Sequence, residues 1–164
     1  MTDLAQWLAA ETNDTKLAGV IASMAAAGAE IAAVLREAPI AGQTGLAGAT
    51  NVQGEAQKAL DVISNDIVLN HLQANPAVSI LVSEELDEAV ELSREGTVIV
   101  ATDPLDGSSN LDVNVTVGTI FSILPTAGGP LQKGRAQLAA GYVAYGPATS
   151  LVLRITGATS VFTL

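Results

Sequence analysis

The chain has 164 residues, enough for one domain with a substantial core. Hydrophobic residues make up 49% and aromatics only 3%, so Ala, Val, Leu and Ile must fill that core. A net charge of -10 argues against nucleic acid or an anionic membrane as partner, and the lack of cysteine excludes disulfides, thiolate catalysis and Cys-ligated metals.

The start, Met1-Thr2-Asp3, lacks a basic region followed by an apolar one, so no signal peptide is expected. Residues 1–10 form a short amphipathic opening whose one large side chain, Trp7, should pack on a neighbour. Asn13 or Asp14 is placed to cap a helix reaching about Glu37. Leu17, Ile21, Met24, Ile31 and Leu35 recur along it at helical spacing. The alanines between them favour close helix packing or a subunit interface. The apolar stretch 21–29 is broken by Glu30 and is too short to span a membrane. A cytoplasmic protein is the expectation.

Residues 39–51, rich in Gly, Ala and Thr, read as a mobile loop. A second helix is expected over 55–75, with Leu60, Ile63, Ile67 and Leu72 on its apolar side. Its surface includes the only histidine, His71, so multi-histidine metal sites are excluded. The pattern then changes to strands at 79–83, 97–102, 116–124, 137–145, 150–156 and 160–164. Gly146-Pro147 should close a hairpin between the fourth and fifth of these. Two helices followed by a strand-rich half imply an α+β layered domain.

The chemistry concentrates in Asp103-Pro104-Leu105-Asp106-Gly107-Ser108-Ser109-Asn110, which follows the apolar run Val98-Ile99-Val100-Ala101. Two carboxylates three residues apart would then sit where a strand ends. Pro104 stiffens the backbone between them, and Gly107 permits a sharp turn. Carboxylates with backbone oxygens suit a hard divalent cation. A glycine turn with free N–H groups suits a phosphate. Together they point to metal-assisted hydrolysis of a phosphate ester. Read singly, the same residues are also a solvated acidic turn. Glu84-Glu85 also read as a charged strand exit, and Asp61-Ser64-Asn65 as a solvated helix face. Tyr142 and Tyr145 read as core strand residues.

The octapeptide resembles the signature of the lithium-sensitive sugar-phosphatase superfamily. Further segments narrow the resemblance: Asn51-Val52-Gln53-Gly54-Glu55, Lys58-Ala59-Leu60-Asp61, Ser64-Asn65-Asp66, Val82-Ser83-Glu84-Glu85, Gly118-Thr119-Ile120-Phe121 and Gly141-Tyr142. In this order and spacing they are similar to class I fructose-1,6-bisphosphatase, from about Thr15 onward.

The resemblance implies a layered α/β sandwich: two N-terminal helices, then a mainly antiparallel mixed sheet. Residues 1–164 would form its N-terminal domain, with the second half of the family fold absent and the chain truncated near that half's start. It implies Mg²⁺, with Mn²⁺ or Zn²⁺ as substitutes, held by Glu84, Glu85, Asp103, the Leu105 carbonyl and Asp106. Asp61, Glu85 and Glu55 would assist the attacking water. Gly107, Ser108, Ser109 and Asn110 would hold the departing phosphate, and Asn51 would help a loop close the site. The sugar site and one more acidic ligand would lie in the missing half.

The implied reaction removes the 1-phosphate of fructose 1,6-bisphosphate, in a homo-oligomer commonly tetrameric in the family. Sedoheptulose-1,7-bisphosphatase, an inositol-phosphatase-like enzyme and a non-catalytic oligomerisation or regulatory fragment stay open as alternatives. Asn13-Asp14-Thr15-Lys16 and Thr97-Val98 depart from the family's AMP pocket, so AMP control is not expected.

Overall fold

The computed structural model describes residues 3–41, 46–50 and 56–164. Helix α1 (Leu4–Glu11) starts at Asp3, whose carboxylate accepts the Gln6 N–H at 2.7 Å. Trp7 meets Phe162 edge-on, with ring centroids 5.2 Å apart. Of the two expected caps of α2 (Thr15–Ala41), Asp14 is used: its Oδ1 accepts the Lys16 and Leu17 N–H groups, both at 3.0 Å.

Helix α2 is longer than its periodic pattern suggested. By length and composition its stretch Thr15–Ala38 could cross a membrane, with a mean hydropathy of 1.8. The physical reason for that apolarity is burial in the domain. Val20, Ile21, Met24, Ala27 and Ile31 are at most 1% exposed and belong to the core.

Part of the expected loop is ordered backbone. Strands β1 (Leu46–Thr50) and β2 (Ala56–Lys58) pair antiparallel, and β2 leads directly into α3 (Ala59–Gln73). Small side chains gave no sequence signal there, because the pairing is between backbone groups. The second helix therefore starts four residues later than expected (59 against 55). Helices α2 and α3 pack together, and His71 bonds Glu30 across them at 2.8 Å.

The remaining strands are β3 (Val78–Ser83), β4 (Val90–Glu91), β5 (Val98–Asp106), β6 (Val117–Pro125), β7 (Ala139–Tyr145), β8 (Ser150–Arg154) and β9 (Ser160–Thr163). They form one sheet in the order β4-β3-β5-β6-β7-β8-β9. Only β3 and β5 run parallel; the other neighbours are antiparallel. Gly28 of α2 lies against Val143 of β7, so Val143 marks the helix-covered face. Side chains alternate along a strand, so Tyr142 belongs to the opposite face. Register carries that face across the sheet: Asp103 lies opposite Ile120, Ile120 opposite Tyr142, Tyr142 opposite Val152, and Val152 opposite Val161. Ile120 and Tyr142 are each 47% exposed, and Val161, on the edge strand, is 66% exposed.

Candidate functional site

Strands β3 and β5 are parallel, so their C-terminal ends lie side by side, the usual location of ligand sites in such pairs. Ser83 pairs with Thr102, and the Glu84 N–H donates to the Thr102 carbonyl at 3.1 Å. Strand β3 ends at Ser83, so Glu84 and Glu85 lie on a turn and are freed from strict alternation.

Strand β5 does not end before the paired carboxylates, as the apolar run had suggested. It continues to Asp106, with a register shift between Asp103 and Asp106 against β6. Pro104 sits within that irregularity, the position in a sheet where a missing N–H costs least. The shift lets both carboxylates leave one strand without a turn between them. The turn comes one residue later. Gly107 adopts φ 78°, and Asn110 N–H closes onto its carbonyl at 2.8 Å. Ser108, Ser109 and Asn110 follow in a short 3₁₀ helix, Ser108–Val113.

The side chains of Asp103 and Glu84 hydrogen-bond each other. A carboxyl donates such a bond only in its protonated form, and here Asp103 is the group pushed towards that form. Burial, the hydrogen bond to Glu84 and repulsion from Glu84 push Asp103 up to about 8, with Asp106 adding a smaller repulsion. The Leu105 N–H opposes this by donating to Asp103 Oδ1 at 3.0 Å. Asp106 itself is exposed. Among the described residues no third acidic or histidine side chain joins the pair in a cluster that could hold a metal. Carboxylates brought together without a counter-charge repel one another. The donors are nonetheless all hard oxygens, which suit a divalent cation in their chemistry.

Asp61 is not on a solvated face. It is 3% exposed on the first turn of α3, beside Ser64 and Asn65, which are equally buried. Asn65 Oδ1 accepts the Ser83 hydroxyl at 2.7 Å, and Ser83 Oγ accepts the Glu85 N–H at 3.3 Å. This ties the Asp61 face of α3 to the end of β3. Ser83 was not singled out from the sequence; its small polar side chain closing an apolar strand was the available signal. Glu55 and Asn51 lie outside the described residues.

A groove of about 810 Å³ opens beside Glu84 and Asp103, lined also by Phe121, Tyr142 and Arg154. A smaller one of about 230 Å³ takes in Asp106, Gly107 and Asn110. Ile120 and Tyr142 border both. Tyr142 is thus a surface residue of the site face, while Tyr145 is buried, as expected of a core strand residue.

This arrangement can be set against known proteins. The model of the fructose-1,6-bisphosphatase N-terminal domain matches residues 4–164. The chain belongs to the fructose-1,6-bisphosphatase family. It is 53% identical to the class 1 fructose-1,6-bisphosphatase of Neisseria gonorrhoeae, over 90% of this chain and 48% of that protein. It is 46% identical to that of Shewanella amazonensis, over 100% of this chain and 53% of that protein. The holo-form crystal structure of Leishmania major fructose-1,6-bisphosphatase superposes with a TM-score of 0.93 at 30% identity, covering 99% of this chain and 55% of that one. The chain thus spans about half the length of the curated relatives it matches. The helices and mixed seven-stranded sheet are the layered fold of fructose-1,6-bisphosphatases.

Proposed function

We propose that this chain carries the metal- and phosphate-handling half of a hydrolase that converts fructose 1,6-bisphosphate to fructose 6-phosphate and phosphate. The observation that carries the reading is the meeting of Glu84 and Asp103 across two parallel strands, with Asp106 and the Gly107 turn following on β5. Glu84, Glu85, Asp103, Asp106 and the Leu105 carbonyl would hold Mg²⁺, with Mn²⁺ or Zn²⁺ as alternatives. When bound, the cation supplies charge stabilisation at the phosphoryl oxygens. Asp61, held rigid by burial, orients the attacking water together with Glu85 and Glu55. Gly107, Ser108 and Ser109 receive the phosphate through N–H and hydroxyl groups, Asn110 stabilises their turn, and Asn51 closes the site. The setting is cytoplasmic.

Binding of the cation should displace the proton that Asp103 holds. Calorimetric titration of Mn²⁺ into this chain at pH 7, in buffers of different ionisation enthalpy, should show about one proton released per site. Binding without proton release would remove the pair from the metal site. With a chelator present, stability should fall as pH rises from about 4 to about 8. Asp103 is raised above its unfolded value of 3.8, so the folded chain holds more protons across that window.

The deciding activity test is phosphate release from fructose 1,6-bisphosphate by this chain with Mg²⁺ titrated. Sedoheptulose 1,7-bisphosphate in parallel would separate the two sugar readings. A chain that binds Mg²⁺ yet releases no phosphate would favour a non-catalytic module.

Self-association is part of the proposal. Strand β9 is an edge of the sheet, and its Val161 is two-thirds exposed. An apolar edge is a template for pairing. Light scattering should find assemblies larger than one chain, and Val161→Lys should shift them towards monomer. A strict monomer at high concentration would refute this.

A further inference from the structure

Midway between the two carboxylates of β5 lies the Pro104–Leu105 peptide group, and both of its polar atoms are engaged. Its N–H donates to Asp103 Oδ1 at 3.0 Å. Its carbonyl, on Pro104, accepts the Thr119 hydroxyl at 2.8 Å. Thr119 Oγ1 in turn lies 2.6 Å from the Tyr145 hydroxyl. The direction of this chain is determined by proton count. A carbonyl only accepts and a threonine hydroxyl has a single proton. Thr119 therefore donates to Pro104 and accepts from Tyr145.

We propose that Tyr145 and Thr119 are positioning residues: a buried hydroxyl relay that sets the plane of the Pro104–Leu105 peptide and thereby the spacing of Asp103 and Asp106. The inference rests on the metal-centre reading above for its consequence, but not for its geometry. Three observations support it. Thr119 is 1% and Tyr145 7% exposed, so water does not substitute for either hydroxyl. The relay spans three strands, β5, β6 and β7, and meets β5 inside its register shift, where ladder bonds do not set the peptide. Burial also pushes the Tyr145 phenol well above its ordinary range, so it stays a donor at any working pH. Neither residue touches the cation or substrate; each acts through the peptide plane.

The test reads that plane directly. Amide exchange at Leu105, followed by NMR, should quicken by at least about tenfold relative to Val100 of the same strand in Thr119→Val. Mn²⁺ affinity should fall by about tenfold, the usual cost of losing an orienting partner behind a ligand. Thr119→Ser should restore both, because it keeps the hydroxyl, and Tyr145→Phe should move both in the same direction as Thr119→Val. If Thr119→Val does not fold, Tyr145→Phe carries the comparison. Leu105 exchange that keeps pace with Val100 in the folded variants would overturn the relay, as would failure of Thr119→Ser to restore it. An unsubstituted chain that binds no Mn²⁺ at millimolar concentration would sink the metal centre instead, while the exchange comparison still decides the relay.

Discussion

Replacing Asp103 by alanine should abolish divalent-cation binding by this chain. It should also lower any Mg²⁺-dependent phosphate release by on the order of a hundredfold or more, as expected when several kcal/mol of charge stabilisation is lost. The more informative substitution is Asp103→Asn. At neutral pH Asp103 holds a proton towards Glu84, because burial and its neighbour push it up to about 8. An amide in the same place donates the same hydrogen bond and never ionises. Asp103→Asn should therefore match the parent in thermal stability near pH 7 and exceed it above pH 8, yet bind no cation. Calorimetry with Mn²⁺ and melting curves at pH 6, 7 and 9 check both halves. Near-parental cation affinity in Asp103→Asn would remove this residue from the metal site.

Among the described glycines, substituting Gly96 by alanine should be the most damaging change for folding. A Cβ there would stand 2.3 Å from the Ser79 nitrogen, 2.5 Å from the Val78 carbonyl carbon and 2.6 Å from the Ser79 Cα. These are backbone atoms of β3 at the register shift between Val78 and Ile80, and no rotamer change can clear them. Either β3 or the entry to β5 must move. The cost should be about 3 kcal/mol or more, the upper range for overpacking. Movement here also misaligns the far ends of the same two strands, where Glu84 meets Asp103. Gly96→Ala should therefore lose cation affinity together with stability. Gly134→Ala is the control: nothing lies within 4 Å of its added Cβ, and its effect should stay within about 0.5 kcal/mol. Equal denaturation midpoints for the two variants would refute the close approach.

Much of the fold was legible along the chain because each signal was local. The Asp14 cap, the helical spacing from Leu17 to Leu35 and the β-branched runs act through neighbours a few residues away. The octapeptide beginning at Asp103 was legible for the same reason, since its residue types and spacing constrain one short segment. The hairpin of β1 and β2 was missed, because backbone pairing between small residues leaves no periodic trace. The continuation of β5 through Pro104 was missed too: proline is a stop signal on its own, and only pairing with β6 around a register shift tolerates it.

The sequence by itself determined the order of helices and strands, the oxygen-only donor chemistry and the family the chain belongs to. The tertiary structure alone decided which acids meet. Glu84 and Asp103 are nineteen residues apart, and only the parallel register of β3 and β5 brings them together. Burial of Asp61 was likewise decided by α3 packing against the sheet, through Asn65 and Ser83. So was the role of Tyr145: whether a strand tyrosine is filler or a donor depends on what its hydroxyl reaches. Here it reaches Thr119 on the neighbouring strand and, through it, the peptide midway between the two carboxylates. Local propensity is encoded between near neighbours, whereas carboxylates that meet across two strands do so only once the sheet has formed.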